Sequence, residues 1–239
     1  MTERPSPADI VVVHSSDLHV TEGAGGAAGL ERVLAAAGRI EADIVLLAGD
    51  TFECHRLPDA LLEQVALTLV AAARPVVLLP GNHDPIVPDA VYHRPALAGL
   101  ANLHILGVTH DDAVLFPDFD LEIAGRAHRD YRDMIPFEGL APKRARWRIA
   151  VGHGHYEPAP DRSVRARPGW LIGDAEIAAT GADYVALGHW NRAAAVGSGA
   201  ATAYYSGSPD YAGTVNVVRL GTAGGVTVVR APLDPAASA

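Results

Sequence analysis

Short unbroken apolar runs recur along the chain and alternate with longer stretches whose apolar residues return at helical spacing. Ile10 to Val13 is β-branched throughout and reads as a buried strand. Leu30 to Ile40 has the period of an amphipathic helix, and Asp43 to Ala48 is a second buried strand. Leu57 to Ala73 reads as a helix with Pro58 in its first turn, where the missing N–H costs nothing. Pro75 to Leu79 is a third strand. This βαβαβ rhythm predicts parallel strands with crossover helices. Leu103 to Leu106 and Ala113 to Ile123 follow as strands joined by short turns, and Arg129 to Arg146 is loop-rich. Further on, Trp147 to Val151 is a strand, Asp174 to Thr180 a short helix and Asp183 to Leu187 another strand. Ala203 to Ala231 alternates strand and turn and reads as antiparallel. The expected organisation is a single domain over 10–231, between a flexible N-terminal tail at 1–9 and a frayed C-terminal tail at 232–239.

The strand ends carry the chemistry. Five strand-like runs close on Asp17-Leu18-His19, Gly49-Asp50, Gly81-Asn82-His83-Asp84, Gly152-His153 and Gly188-His189. In open α/β sheets the carboxyl ends of parallel strands share one edge, so groups distant in sequence can be delivered to one place. Each triplet alone has an ordinary explanation, such as an Asp closing a turn or a histidine packed in a core. Five such endings in one chain point instead to a common metal site. The donors are carboxylate, amide oxygen and imidazole, without a thiolate. That excludes a zinc–cysteine structural site and suits manganese first, with iron or zinc as alternatives. Asp17 and Asp50 would set two negative charges against four positive ones on a pair of divalent ions, leaving a surplus to hold a phosphate group and a metal-bound hydroxide. A carboxylate can bridge two ions, and Asp50 is the natural candidate.

Composition narrows the partner. Over 239 residues the formal net charge is −9. No basic stripe marks a nucleic-acid surface; the densest basic stretch, Lys143 to Arg148, reads as a solvated loop entering a strand. A small or locally gripped substrate is expected, with nucleic acid the less favoured partner. A lone cysteine, Cys54, excludes an intrachain disulfide and reads as a packed thiol. No signal-like or membrane-spanning run is present, so a cytoplasmic location is expected.

In order and spacing these motifs resemble the calcineurin-like metallophosphoesterase superfamily, over residues 11 to about 191. Tyr184 to His189 followed by Tyr205 to Pro209 resembles, more loosely, the SbcD-like DNA repair exonuclease branch. The resemblance implies an α/β, four-layer αββα sandwich of two mixed β-sheets flanked by helices. It also implies roles: Asp17 and His19 on a first metal, Asp50 bridging, and Asn82, His153 and His189 on a second. His83 would act as general acid or phosphate stabiliser, and Asp84 would orient it by a hydrogen bond.

Three features depart from that pattern. The family's last motif has a second histidine where this chain has Asn191, which either coordinates weakly, hydrogen-bonds a bound water, or leaves the first site partly empty. Glu53 stands where the repair nucleases often carry a catalytic histidine, and serves either behind the metal ligands or in a loop hydrogen bond. The chain after the core is too short for the nucleases' capping region, which favours a compact phosphodiesterase or phosphatase. Arg126, His128 and His155 are candidate substrate contacts, with solvated surface or packing as the alternative for each. Trp190 reads as packing more than stacking on a base or sugar. The apolar tail strands complete a sheet or form a homodimer edge. A second class of reading is a binding module that keeps the fold and has lost turnover.

Overall fold

A computed structural model of the chain describes residues 9–23, 25–164, 166, 168–198 and 202–234. Of the N-terminal tail expected at 1–9, residues 1–8 lie outside the described residues, as do 235–239. In chain order the elements are β1 (Ile10–Ser15), α1 (Ala28–Arg39), β2 (Ile44–Ala48), α2 (Asp59–Ala71), β3 (Val76–Leu79), β4 (Leu103–Ile105), β5 (Ala113–Phe116) and β6 (Leu121–Ala124). They continue with β7 (Trp147–His153), β8 (His155–Tyr156), β9 (Leu171–Ile172), α3 (Asp174–Ala179), β10 (Tyr184–Gly188), β11 (Ala194–Val196), β12 (Ala203–Tyr205), α4 (Pro209–Ala212), β13 (Thr214–Leu220) and β14 (Val226–Pro232).

Two six-stranded mixed sheets form, in the orders β14-β13-β1-β2-β3-β4 and β11-β12-β10-β7-β6-β5. β1 to β4 pair in parallel, as the βαβαβ rhythm requires, and β13 and β14 add to β1 as an antiparallel hairpin. In the second sheet β6, β7, β10 and β12 are parallel, with antiparallel β5 and β11 at the edges. The tail is therefore not wholly antiparallel: β12 lies parallel to β10.

Side-chain alternation explains the layering. In β1, Ile10 and Val12 point toward the second sheet, while Val11 and Val13 pack under the helices. The inter-sheet layer joins Ile44, Leu46, Val77 and Leu79 to Ile123, Ile149, Val151 and Ala186. The outer face of the first sheet buries Val45 and Leu47 against Leu30 and Val33 of α1 and Leu62 and Val65 of α2. Ile177 of α3 and Phe137 cover Ala150, Val185 and Leu187 on the far side. Fully burying each such side chain is worth about 1.5–3 kcal/mol. The result is helix, sheet, sheet, helix, the expected α/β sandwich. The end differs from expectation: Pro232 closes β14, Leu233 is buried, and its N–H donates to the Gly213 carbonyl, so the chain is packed beyond 231.

A small polar cluster sits against the apolar layer between the sheets. His14 of β1 is buried, with Nδ1 2.9 Å from the Tyr184 hydroxyl of the other sheet, and Asn216 of β13 lies beside both. Burial pushes the His14 pKa down to about 3. Its unfolded value is near 6.5, so the unfolded chain binds the extra proton first. Stability linked to His14 is thus complete above about 6.5 and is lost as pH falls toward about 3. Urea midpoints measured at pH 7 and pH 4.5 should show a smaller acid loss for His14→Leu than for the wild type; equal losses would contradict this reading.

Candidate metal centre

The loops leaving β1 and β2 zip together. The N–H groups of Asp17, His19 and Val20 donate to the carbonyls of Gly49, Asp50 and Thr51, and Glu53 N–H returns to the Val20 carbonyl. This short parallel ladder fixes Asp17 and His19 against Asp50 and Glu53. It demands unusual backbone: Asp17, His19 and Asp50 have φ of 55°, 48° and 50°, and His189 has 104°. Non-glycine residues rarely hold positive φ, and such strain gathers where side chains must be aimed. Two glycines allow the close approach of the sheets. A Cβ on Gly49, at φ 92°, would stand 2.0 Å from His153 Nδ1, and one on Gly188 would stand 1.9 Å from the Ala48 carbonyl oxygen.

The candidates for the second metal converge. Asn82 Oδ1 lies 3.1 Å from His153 Nε2 and 3.2 Å from His189 Nδ1. His153 Nε2 is also 3.0 Å from Asp50 Oδ2. The other ring nitrogen, Nδ1, is 2.9 Å from the Ala48 carbonyl, which can only accept, so Nδ1 carries a proton and Nε2 faces the oxygens. Burial alone would lower the His153 pKa, yet the Asp50 charge, aided by Asp17, raises it to about 10. Burial pushes Asp50 up, and the His153 charge outweighs it and holds the carboxyl below the usual range. A point that binds a proton this firmly, ringed by two oxygens and two imidazoles, suits a cation.

The candidates for the first metal lie alongside. Donor atoms of Asp17, His19 and Asp50 are all within 4.8 Å of one another. The Asp17 carboxylate accepts from the His189 N–H at 3.1 and 3.0 Å and from the Ser16 hydroxyl. Burial first, and then the Asp50 charge, push its pKa up, against the pull of His153. Asp50 Oδ1 also accepts from the His83 N–H at 2.9 Å. The His83 ring is exposed, 4.8 Å from the His19 ring, with Nδ1 3.5 Å from Glu53 Oε1. The mixed carboxylate, amide and imidazole set fits a pair of divalent ions.

Other expected site residues fall elsewhere. Asp84 does not orient His83. It is fully buried, accepting from Gly81 N–H at 2.7 Å, Phe52 N–H at 2.9 Å and the Tyr92 hydroxyl at 2.6 Å. Burial, then Asp50, raise its pKa to about 6. Its place is to tie the β2 and β3 loops together. His128 cannot touch substrate because it is buried; its Nε2 lies 2.9 Å from the His153 carbonyl, and burial lowers its pKa to about 4. Arg126 is committed to Glu138 at 3.0 Å. His155 does sit beside the cluster, its ring 6.4 Å from that of His189, and Nδ1 accepts from Trp190 Nε1 at 3.2 Å. Trp190 stacks on Tyr205 at 4.3 Å, the packing role expected of it. Asn191 is exposed; its carbonyl accepts from Ser208 N–H, and its side chain makes no hydrogen bond among the described residues. Sequence reasoning missed Trp170, whose ring lies 5.9 Å from His189. It sits in a loop with no strand or motif to mark it.

The sequence matches the model of the calcineurin-like phosphoesterase family over residues 10–192. The chain belongs to that family, whose members hydrolyse phosphate esters with divalent metals. No curated protein matches the sequence. Among solved structures, TT1561 of Thermus thermophilus is similar at a TM-score of 0.63 and 12% identity, covering 95% of this chain and 100% of that one. Another aligns at 0.61 and 12% identity, covering 93% and 99%. At that identity they show a shared fold.

Asp84→Ala would strand two buried N–H groups and a hydroxyl, at about 1–3 kcal/mol for each group left unsatisfied. The variant should lose at least about 2 kcal/mol in urea unfolding. Unchanged stability together with a large fall in kcat would return Asp84 to the role of orienting His83.

Proposed function

We propose that the protein is a phosphodiesterase or phosphatase working through two divalent ions, manganese first, with iron or zinc as alternatives. The observation that carries this reading is the convergence of Asp17, His19, Asp50, Asn82, His153 and His189 where the carboxyl ends of both sheets meet. Asp17, His19 and Asp50 would hold the first ion, and Asp50, Asn82, His153 and His189 the second. When bound, two such ions clamp a phosphoryl group, polarise it and lower the pKa of an attacking water.

The chain's own residues supply the rest. Asp17 and Asp50 are both buried, so their charges act in a weakly screening environment and leave the site net positive only when it is loaded. His83 is anchored by its backbone N–H to Asp50, while its exposed ring reaches past His19 toward solvent. From there the imidazole would bind the phosphate or give a proton to the departing oxygen. His155, held by Trp190, flanks the second half and offers a contact for the substrate's organic part.

Hydrolysis of bis(p-nitrophenyl) phosphate and p-nitrophenyl phosphate with added manganese tests the reading. Turnover of the diester should fall about 10²–10⁴-fold in His83→Ala. It should be abolished in Asp50→Asn. Metal binding without turnover of either ester would favour a binding module, and cleavage of linear DNA would favour the nuclease branch.

A further inference from the structure

The motif from Tyr205 to Pro209 carries no carboxylate or imidazole, yet it is built against the loops that hold the metal candidates. It begins where β12 ends. Gly207 has φ of 74°, and a Cβ there would stand 2.7 Å from the Ala193 nitrogen and 2.8 Å from the Asn191 carbonyl oxygen. Ser208 N–H donates to that same carbonyl. The turn is thus pressed onto the loop that follows His189.

On its other side the turn reaches the loop of Asp17. Ser206 Oγ lies 2.9 Å from Ser16 Oγ, and Ser16 Oγ lies 2.5 Å from Asp17 Oδ2. Both serines are fully buried. Each hydroxyl has one proton to give. Asp17 as a metal ligand is deprotonated and can only accept, so the Ser16 proton goes to Oδ2. The Ser16 oxygen is left to accept from Ser206. The other acceptor open to Ser206, the Gly207 carbonyl, is farther away at 3.2 Å. The chain therefore runs one way, from Ser206 to Ser16 to Asp17, and each bond polarises the next. Oδ2 also accepts from the His189 N–H at 3.0 Å, which fills its lone-pair positions. Oδ1 accepts only that shared N–H, at 3.1 Å, and keeps a lone pair free.

We propose that Ser206 and Ser16 are positioning residues for the first ion: their hydroxyls hold Oδ2 of Asp17 and leave Oδ1 as the atom offered to the cation. The assignment rests on the two-ion reading above. In this role neither hydroxyl coordinates the metal, and Ser206 acts on the ion only through Ser16.

Isothermal titration calorimetry of the metal-free full chain with manganese tests the relay, with thermal unfolding of the same proteins in EDTA as the check on folding. The wild type should bind two ions. Ser16→Ala should weaken one of them about 10–100-fold and leave the other unchanged. Ser206→Ala should weaken one ion by about 10-fold. The double variant should bind no more weakly than Ser16→Ala, because the second change removes a link already broken. Ser208→Ala, in the same turn but with a hydroxyl that makes no hydrogen bond among the described residues, should bind both ions as the wild type does. Serine variants that melt lower yet bind manganese like the wild type would show a structural role and overturn the proposal. So would a loss from Ser206→Ala that is as large in the Ser16→Ala background as alone, or an equal loss in Ser208→Ala. In each of those cases two ions in the wild type would leave the two-ion reading standing. Fewer than two ions in the wild type would overturn that reading and the relay together.

Discussion

Asp50 and His153 come from different sheets, and their side chains meet 3.0 Å apart. The rest of the site is arranged around that contact. The opposite nitrogen of His153 reaches across to the Ala48 carbonyl at the end of β2, so one imidazole joins the second sheet to both the backbone and the carboxylate of the first. Gly49 and Gly188 carry no side chain because the sheets come too close there to admit one. Buried charge of this kind is costly unless opposite charge or a cation answers it. The Asp50 charge, against the effect of burial, makes His153 hold a proton tightly, and the same buried negative charge is the physical ground for expecting a cation at this point.

The strained backbone has the same origin. Asp17, His19, Asp50 and His189 all sit at positive φ, each immediately after or near the end of a parallel strand. A strand that simply continued would carry these side chains away from one another. The turns bring them back over the sheet edges, and the ladder between the β1 and β2 loops, with Asp84 tying the β2 and β3 loops, keeps them there. Asp84 therefore serves the site without touching the chemistry.

Much of the fold was legible because parallel strands buried on both faces leave continuous apolar runs, as in β1, β2 and β3. The sandwich followed from those runs and from the family resemblance. Shorter elements were not legible: β8, β9 and β11 span two or three residues, too few for a period to appear. The parallel placement of β12 and the burial of Leu233 depend on tertiary neighbours alone. At the site, strand-end position predicted which residues converge. It could not predict burial, which separates His128 and Asp84 from exposed His83. Nor could it show that Glu53 lies against His19, because that contact depends on the register between two loops.

The central claim is that the two sheets together build a pair of cation sites sharing Asp50. Anomalous diffraction from crystals grown with manganese tests it most directly. Two peaks should appear about 3.5–4 Å apart, one on each side of the Asp50 carboxylate, with one of them against Asn82, His153 and His189. A single peak, or two peaks that do not share Asp50, would contradict the account.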